Sequence, residues 1–324
     1  MDSSESYPPA SLQEARTYSA LDRPTKVDRQ IFISPTADNP ALLDFLEALP
    51  HVLKANELRE IVDAIVQAHQ RGKPVIAGIG GHVIKCGLAP LLIELMERRV
   101  LTAVAMNGGA SIHDFEVATL GNTSEDVAAS LESGMFGMVN ETGAAMNAAI
   151  AAAAGENMGM GAALGSALLK TGAPYSQQSI LAAGVRLQLP VLVHAAIGAD
   201  TIHMHPAVDG AAIGQASHLD FRILVTVLKE FGDGGVYLNI GSSVLLPEVF
   251  LKALNLARNL SSERVENFTT VNLDMIQHYR PLENVVRRPT QKLTGRGYSV
   301  TGHHEIMVPL LFQLALAKIS REGK

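Results

Sequence analysis

The feature that most constrains the fold is a rhythm that recurs five times from residue 73 onward. A short β-branched apolar run is followed by a turn, usually with glycine, and then by a helical pattern. The runs are KPVIAGIGG, VLTAVAMNGGAS, LPVLVHAAIGAD, GGVYLNIGSS and ENFTTVNLD. Continuous apolar strands that alternate with helices are typical of a parallel sheet covered on both faces. The sequence therefore predicts an α/β fold, doubly wound and Rossmann-like, with a mostly parallel sheet.

The rest of the chain predicts how this sheet is framed. Residues 1–40 are rich in proline and polar residues, which favours an extended N-terminal arm, one that could dock on a neighbouring subunit. Residues 41–324 predict a single α/β domain. Within it, residues 121–188 carry small residues on every helical face and predict a helical insertion, packed on the sheet or on another subunit. Ordinary close-packed core helices explain that composition equally well. Residues 279–300, rich in Pro, Gly and Arg, predict a long loop.

Composition excludes several classes of function. The 324 residues carry a formal net charge of −6 with scattered basic residues, so a nucleic-acid partner is not expected. Cys86, the single cysteine, rules out an intrachain disulfide and fits a reducing compartment, so we expect a cytoplasmic protein. No apolar run is long enough to cross a membrane, and the first residues lack the apolar core of a signal peptide. We expect neither a membrane partner nor export by that route.

The turns after the predicted strands are the candidate ligand site, because ligands of open parallel sheets bind beyond the carboxyl ends of the strands. Glycine in such turns lets a phosphate approach backbone N–H groups at a helix N-terminus. Tight turns without a ligand would also need glycine. The candidate cofactor-binding residues are Gly80, Gly81, His82, Asn107, Gly108, Gly109, Asp200, Gly241, Ser242 and Asp274.

Histidines and carboxylates cluster in the same predicted loops. The candidate catalytic or substrate-contacting residues are His113, Asp114, His203, His205, His303 and Glu305. General acid/base work is one interpretation, and purely structural roles are another. A third is a Zn²⁺ or Fe²⁺ site built from His113, His203 and His205, although no HExxH motif is present. The HHE at residues 303–305 could instead begin the last helix.

The order of these segments resembles the deoxyhypusine synthase family. The resemblance covers about residues 40–318, and each motif is kept only in part. The matching segments are GIGGHVIKCGLAP (78–90), MNGGASIHDFE (106–116), LPVLVHAAIGADTIHMH (189–205), NIGSSV (239–244), VNLD (271–274) and MVPLL (307–311). The family is NAD-dependent, doubly wound and tetrameric, and it transfers an aminobutyl group from spermidine to a protein lysine. The resemblance thus implies a deoxyhypusine synthase-like fold, NAD as cofactor and a homotetramer.

The departures from the family fall on its reacting groups. The family's lysine follows Ser-Trp-Gly, whereas this chain has no tryptophan and places Lys292 only loosely in that region. The family's acidic substrate contact after the third strand falls near His203, and Arg287 and Arg288 suit an anionic group. The resemblance then implies a transferase or oxidoreductase that binds NAD or another nucleotide and acts on a small molecule other than spermidine. A metal-dependent hydrolase or lyase and a non-catalytic ligand-binding protein are the alternatives.

Overall fold

Eight strands organise the chain, which the computed structural model describes over residues 10–34, 39–291 and 295–322. The strands are β1 (Thr25–Asp28), β2 (Val75–Ile79), β3 (Ala103–Asn107), β4 (Asn122–Glu125), β5 (Val191–His194), β6 (Val236–Ile240), β7 (Thr269–Asp274) and β8 (Arg296–Thr301). Six of them form one parallel sheet in the order β5-β3-β2-β6-β7-β8. The other two, β1 and β4, pair as an antiparallel ribbon. The predicted doubly wound α/β fold is confirmed.

Helices cover both faces of the sheet. They are α1 (Ala41–Ala48), α2 (Leu53–Gln70), α3 (Gly81–Lys85), α4 (Ala89–Glu97), α5 (Gly108–Leu120), α6 (Val127–Leu131), α7 (Asn140–Glu156), α8 (Met160–Lys170), α9 (Ile180–Leu187), α10 (Gly210–Lys229), α11 (Leu245–Leu260), α12 (Tyr279–Pro281) and α13 (His304–Glu322). None of the helices in the described ranges is long and apolar enough to span a membrane.

The strand order places a switch point between β2 and β6. The chain starts the sheet at β2, adds β3 and β5 on one side, and then returns to add β6, β7 and β8 on the other. Helices that leave β2 and β6 therefore turn to opposite faces of the sheet. The carboxyl ends of these two strands border the crevice in which doubly wound proteins bind ligands.

The strands read as continuous apolar runs because each face of the sheet lies in its own hydrophobic core. On β2, Ala77 and Ile79 belong to the larger core, whereas Ile76 belongs to a second core with Tyr237 and Phe250. The Tyr237 and Phe250 rings stack with their centroids 3.9 Å apart. Burial of both faces removes the polar alternation that a half-exposed strand would show.

The prediction of a long loop over residues 279–300 is wrong for most of that segment. Tyr279–Pro281 and Leu282–Arg287 are helical, and Arg296–Thr301 is a parallel edge strand paired with β7. A Cβ on Gly297 would lie 2.1 Å from the carbonyl oxygen of Val286, so glycine is what lets β8 pack against the helical turns. Lys292 lies outside the described residues.

The described part of the N-terminal segment packs against other elements of the same chain. Its strand β1 pairs with β4, and the backbone N–H of Ile33 donates to the carbonyl of Gly87. The small-residue tract likewise packs on the sheet, since a Cβ on Gly161 of α8 would lie 1.8 Å from the carbonyl oxygen of Val191 on β5. Small residues in this tract therefore serve close packing of helices on the edge strand.

Candidate active site

A cavity of about 250 Å³ lies at the carboxyl ends of β2 and β3. Helices α3 and α5, the residues around Gly137 and the loop after β5 form its walls. Its ionisable lining residues are Arg23, Lys85, His113, Glu116, Glu125 and Asp200. This volume is just below the range of pockets that enclose drug-sized ligands, so the cavity suits a small metabolite. A larger cavity, near Arg258 and Arg264, lies on the segment that precedes β7, away from the strands' carboxyl ends.

His113 stands in a chain of hydrogen bonds that runs from the cavity into the interior. Its Nδ1 lies 2.7 Å from the Thr123 hydroxyl, which donates in turn to a carboxylate oxygen of Glu116. Glu116 also accepts two bonds from the Arg23 guanidinium, at 2.6 and 3.2 Å, and one from Thr142 at 3.0 Å. Both charges of the Arg23–Glu116 pair are buried. We call His113, Thr123, Glu116 and Arg23 the histidine relay.

The relay fixes the protonation state of the imidazole. Because Thr123 gives its hydrogen to Glu116, its oxygen accepts from His113, and the ring proton sits on Nδ1. Burial lowers the pKa of His113 to about 4, with Lys85 and Arg23 lowering it further and Glu116 opposing them. At neutral pH the ring is therefore uncharged, and no described residue donates to its Nε2. A neutral imidazole with a free lone pair at a cavity wall can act as a general base.

Two charges of opposite sign share this cavity. The ammonium of Lys85 lines it without a hydrogen bond or ion pair to any described residue. The carboxylate of Asp200 lines it as well, and its Oδ2 accepts from the backbone N–H of Ala196 at 3.2 Å. Burial raises the pKa of Asp200. The lining thus offers one group for an anion and one for a cation or hydrogen-bond donor.

Three of the glycines in these turns, Gly80, Gly108 and Gly241, pack closely against the protein itself. A Cβ on Gly80 would lie 2.0 Å from the carbonyl oxygen of Gly241, and one on Gly108 would lie 2.0 Å from Asp200 Oδ2. A Cβ on Gly241 would lie 2.9 Å from the imidazole ring of His304. These glycines are explained by close packing within the chain, so the residues as arranged do not present the open cradle that a dinucleotide pyrophosphate needs.

Polar side chains of the predicted cofactor site also form hydrogen bonds within the chain. Asn107 caps α5 through a bond from Ala110 N–H at 2.8 Å, and Ser242 Oγ accepts from Leu246 N–H at 3.2 Å. Asp274 is buried and accepts from the backbone of Met275 at 2.8 Å. Among the predicted cofactor residues, Gly109 and Asp200 line the cavity.

Asp114, predicted as catalytic, faces away from the cavity. Its carboxylate accepts from the Ser179 hydroxyl at 2.6 Å and from the backbone N–H groups of Ile180 and Leu181 at 2.9 and 3.1 Å. Burial raises the pKa of Asp114 to about 6 against these hydrogen bonds. Asp114 therefore stabilises the start of α9.

The other predicted histidines do not gather around His113. His203 Nδ1 accepts from Gly198 N–H at 3.2 Å, and its Nε2 lies 4.0 Å from Asp200. His205 is buried against Gly143 of α7. Across residues 10–34, 39–291 and 295–322, His113, His203 and His205 do not form a metal-ligand set. Each ring is held by its own local loop or helix, so that metal alternative is not supported.

The end of the chain forms a separate group. His303 is exposed, with its Nδ1 3.9 Å from Glu305. Glu305 lies beside His82 of α3 and beside Cys86, which follows that helix. The buried His304 ring meets the His82 ring edge to face, with the ring centroids 5.5 Å apart. The predicted sites His82, His303 and Glu305 thus come together here and not in the cavity lining.

Sequence reasoning missed most partners of His113. Glu116 lies three residues after His113 on α5, and this spacing puts the two on one helical face. Arg23 comes from the N-terminal segment, 93 residues away from Glu116 along the chain. Thr123 lies on β4, a strand that the sequence did not predict. Only the spacing within α5 carried a usable signal.

Comparison with known proteins gives similarity of fold alone. No family model matches the chain, and no curated protein matches it. One similar solved structure is AgrE in a ternary complex with ornithine and NAD+, with 14% identity and a TM-score of 0.49 over 89% of this chain and 35% of that one. A second is a conserved LOR/SDH protein from Methanococcus maripaludis S2, with 15% identity and a TM-score of 0.48 over 91% of this chain and 73% of that one. A third is a candidate deoxyhypusine synthase from Entamoeba histolytica, with 11% identity and a TM-score of 0.48 over 82% of this chain and 88% of that one.

This chain spans only about a third of the length of AgrE. The resemblance to deoxyhypusine synthases drawn from the sequence motifs is found again here, as a structural similarity. At such identities it concerns the arrangement of strands and helices, and the chemistry has to be argued from the cavity.

Proposed function

We propose that this chain is an enzyme of deoxyhypusine synthase-like fold that uses His113 as a general base on a small zwitterionic substrate. The observation that carries the proposal is the histidine relay. It holds the proton on Nδ1 and leaves Nε2 as the basic atom at the cavity wall. A positioned general base contributes about 10²–10⁴-fold to a proton transfer, most when its pKa lies near the working pH, so the pKa of about 4 places His113 at the lower end of this range.

The charges of the cavity define the substrate class. Lys85 has no partner among the described residues, so it is the group that would hold a carboxylate. Asp200 supplies the opposite charge for an ammonium group. A molecule that carries both charges and a C–H between them, such as a small amino acid, fits this lining, and the electron pair left on its carbon would be delocalised into the carboxylate that Lys85 holds. Removal of that proton by His113 Nε2 is the reaction that the geometry favours.

The experiment is a deuterium-exchange screen. The full chain is incubated in D₂O with a panel of small amino acids, and loss of the C–H signal is followed by proton NMR. We expect exchange with at least one compound. It should fall by about 10²-fold or more in His113→Gln and persist in His51→Gln, the same change at an exposed histidine. Equal exchange in wild type and His113→Gln would contradict the proposal. Binding without exchange would favour the non-catalytic alternative.

A second candidate function is the NAD-dependent transferase or oxidoreductase implied by the resemblance. The strand order favours it, because the switch point between β2 and β6 is where doubly wound folds bind such cofactors. The packing of Gly80 on Gly241 and of His304 over Gly241 opposes it, so NAD would have to displace the His304 ring. Calorimetric titration of the full chain with NAD separates the two candidates. Saturable binding that is strengthened in His304→Ala would support the NAD-dependent function, and no heat in either protein at two well-separated temperatures would exclude it.

A further inference from the structure

Three potential metal ligands converge on one point at the carboxyl edge of the sheet, outside the histidine relay. His82 and Cys86 are four residues apart at α3, a spacing that places both side chains on one helical face. Glu305 comes from the first turn of α13, 219 residues after Cys86. The imidazole nitrogen, the thiol sulfur and a carboxylate oxygen all lie within 4.8 Å of one another.

Two of the three separations are close to those of ligands around one tetrahedral ion, and the third is at most 4.8 Å. His82 Nε2 lies 3.3 Å from Cys86 Sγ, and Cys86 Sγ lies 3.8 Å from Glu305 Oε2. Ligands at about 2.3 Å (sulfur) and 2.0–2.2 Å (nitrogen and oxygen) from a zinc ion are roughly 3.5 Å apart in a tetrahedron. Small side-chain adjustments would therefore close the site around an ion.

The ligand atoms have few other partners. Within the described part of the chain, Cys86 Sγ makes hydrogen-bond contacts only with His82 and Glu305, and His82 Nε2 makes one only with Cys86. The Glu305 carboxylate also accepts from its own backbone N–H, and the His303 ring lies 3.9 Å from it. A carboxylate, an imidazole and a thiol brought together in this way form a donor set that a cation can complete.

The backbone that carries these side chains is held in place. Gly80 N–H donates to the carbonyl of Ile240 at 2.9 Å just before α3, and Ile33 N–H donates to Gly87 at 3.0 Å just after it. On the opposite side, His304 Nε2 lies 3.3 Å from the carbonyl oxygen of Leu273 beside the start of α13. The site is thus built between two anchored segments.

We infer that His82, Cys86 and Glu305 form a zinc site with three protein ligands and a fourth position for water. The donor chemistry selects the metal, because thiolate with imidazole suits Zn²⁺ better than the oxygen-seeking Mg²⁺ or Ca²⁺. On binding, the ion forms a bond to sulfur and the thiol proton leaves to solvent. The inference does not rest on the proposed function, since the relay lies on α5, β4 and the N-terminal segment. The two sites are neighbours, because Lys85 of the cavity lies between His82 and Cys86 in the sequence.

Cobalt substitution of the full chain tests the site directly. Because Cys86 is the only cysteine of the chain, a thiolate-to-Co²⁺ charge-transfer band can arise only from this residue. We expect the band to saturate at one equivalent of Co²⁺ and to be abolished by one equivalent of Zn²⁺. The band should be absent in Cys86→Ser. A wild-type protein that shows no thiolate band at one equivalent would overturn the inference.

Zinc affinity, measured by competition with a chromophoric chelator, assigns the other ligands. Since loss of a supporting second-sphere contact already costs about 10–100-fold in affinity, His82→Asn and Glu305→Gln should each lose at least about 100-fold. His51→Asn, a change at a remote exposed histidine, should bind as wild type does. Glu305 is itself exposed, so its variant should keep the wild-type unfolding transition. Unchanged zinc affinity in His82→Asn and Glu305→Gln would contradict the assignment.

Discussion

The guanidinium of Arg23 and the carboxylate of Glu116 form a buried ion pair whose closest atoms are 2.6 Å apart. The pair joins the N-terminal segment to α5 and completes the hydrogen-bond chain behind His113. A segment without regular amphipathic pattern therefore supplies an internal charge that the cavity depends on. The pair links folding of the N-terminal segment to the chemistry proposed for the cavity.

Replacing Arg23 by methionine should destabilise the fold, because it leaves the Glu116 carboxylate buried without its countercharge. Removal of one partner of a buried pair costs about 3–5 kcal/mol. Urea unfolding of the full chain measures this cost. The double variant Arg23→Met/Glu116→Gln is the control, and it should recover part of the loss. A single variant as stable as wild type would show that the pair is not formed.

The contribution of His113 to stability should depend on pH. Its folded pKa of about 4 lies below the ordinary value of about 6.5, so between these values the unfolded state binds more protons and stability falls as the pH falls. A shift of this size corresponds to about 3 kcal/mol in full. Above pH 6.5 the effect is absent.

The difference between wild type and His113→Gln isolates this effect. Asp114, whose pKa is raised to about 6, and Asp220, whose pKa is raised to about 7, change stability in the opposite direction over the same pH range. Between pH 7 and pH 4.5, the free energy of unfolding of wild type should therefore fall relative to that of His113→Gln. A constant difference at the two pH values would refute the lowered pKa of His113.

Asp114→Ala should lower stability without affecting the proton exchange proposed for the cavity. The variant leaves the Ser179 hydroxyl and two backbone N–H groups without their acceptor, and loss of such capping interactions costs about 1–3 kcal/mol. Thermal unfolding gives the first quantity and the deuterium-exchange assay the second. A variant that is still folded but has lost the exchange would support the catalytic role predicted for Asp114 from the sequence.

Two adjacent glycines should respond differently to alanine. In Gly108→Ala the new methyl group would lie 2.0 Å from Asp200 Oδ2, so Asp200 must move, at a cost of about 1–3 kcal/mol. In Gly109→Ala the nearest atom is 3.7 Å away, and better helix propensity should add up to about 1 kcal/mol. Denaturant titration of both proteins measures the contrast. Equal stabilities would contradict the close packing of Asp200 on α5.

Much of the fold could be predicted because the apolar strands and their turns are local signals. One exception is β8, where Gly295 and Gly297 flank and interrupt a six-residue edge strand. Its burial does not alternate, since Tyr298 is its one buried residue, so the strand shows no period of two and depends on pairing with β7. The ribbon of β1 and β4 was missed because both strands are short and polar.

The candidate site could be predicted only in part. His113 and Asp200 follow strands and were expected near a ligand, and both line the cavity. The partners of His113 come from distant segments, so no spacing in the sequence could reveal them. The glycine turns were the strongest sequence signal for a cofactor, and glycines that accommodate a neighbouring backbone or side chain look the same in a sequence as glycines that accommodate a phosphate.

The most direct test of the account is nitrogen-15 NMR of the His113 ring in the full chain, assigned by comparison with His113→Gln. The account predicts a proton on Nδ1, a bare Nε2 at neutral pH and protonation only near pH 4. A proton on Nε2, or titration near the ordinary pKa of about 6.5, would contradict the role of His113 as the base of this cavity.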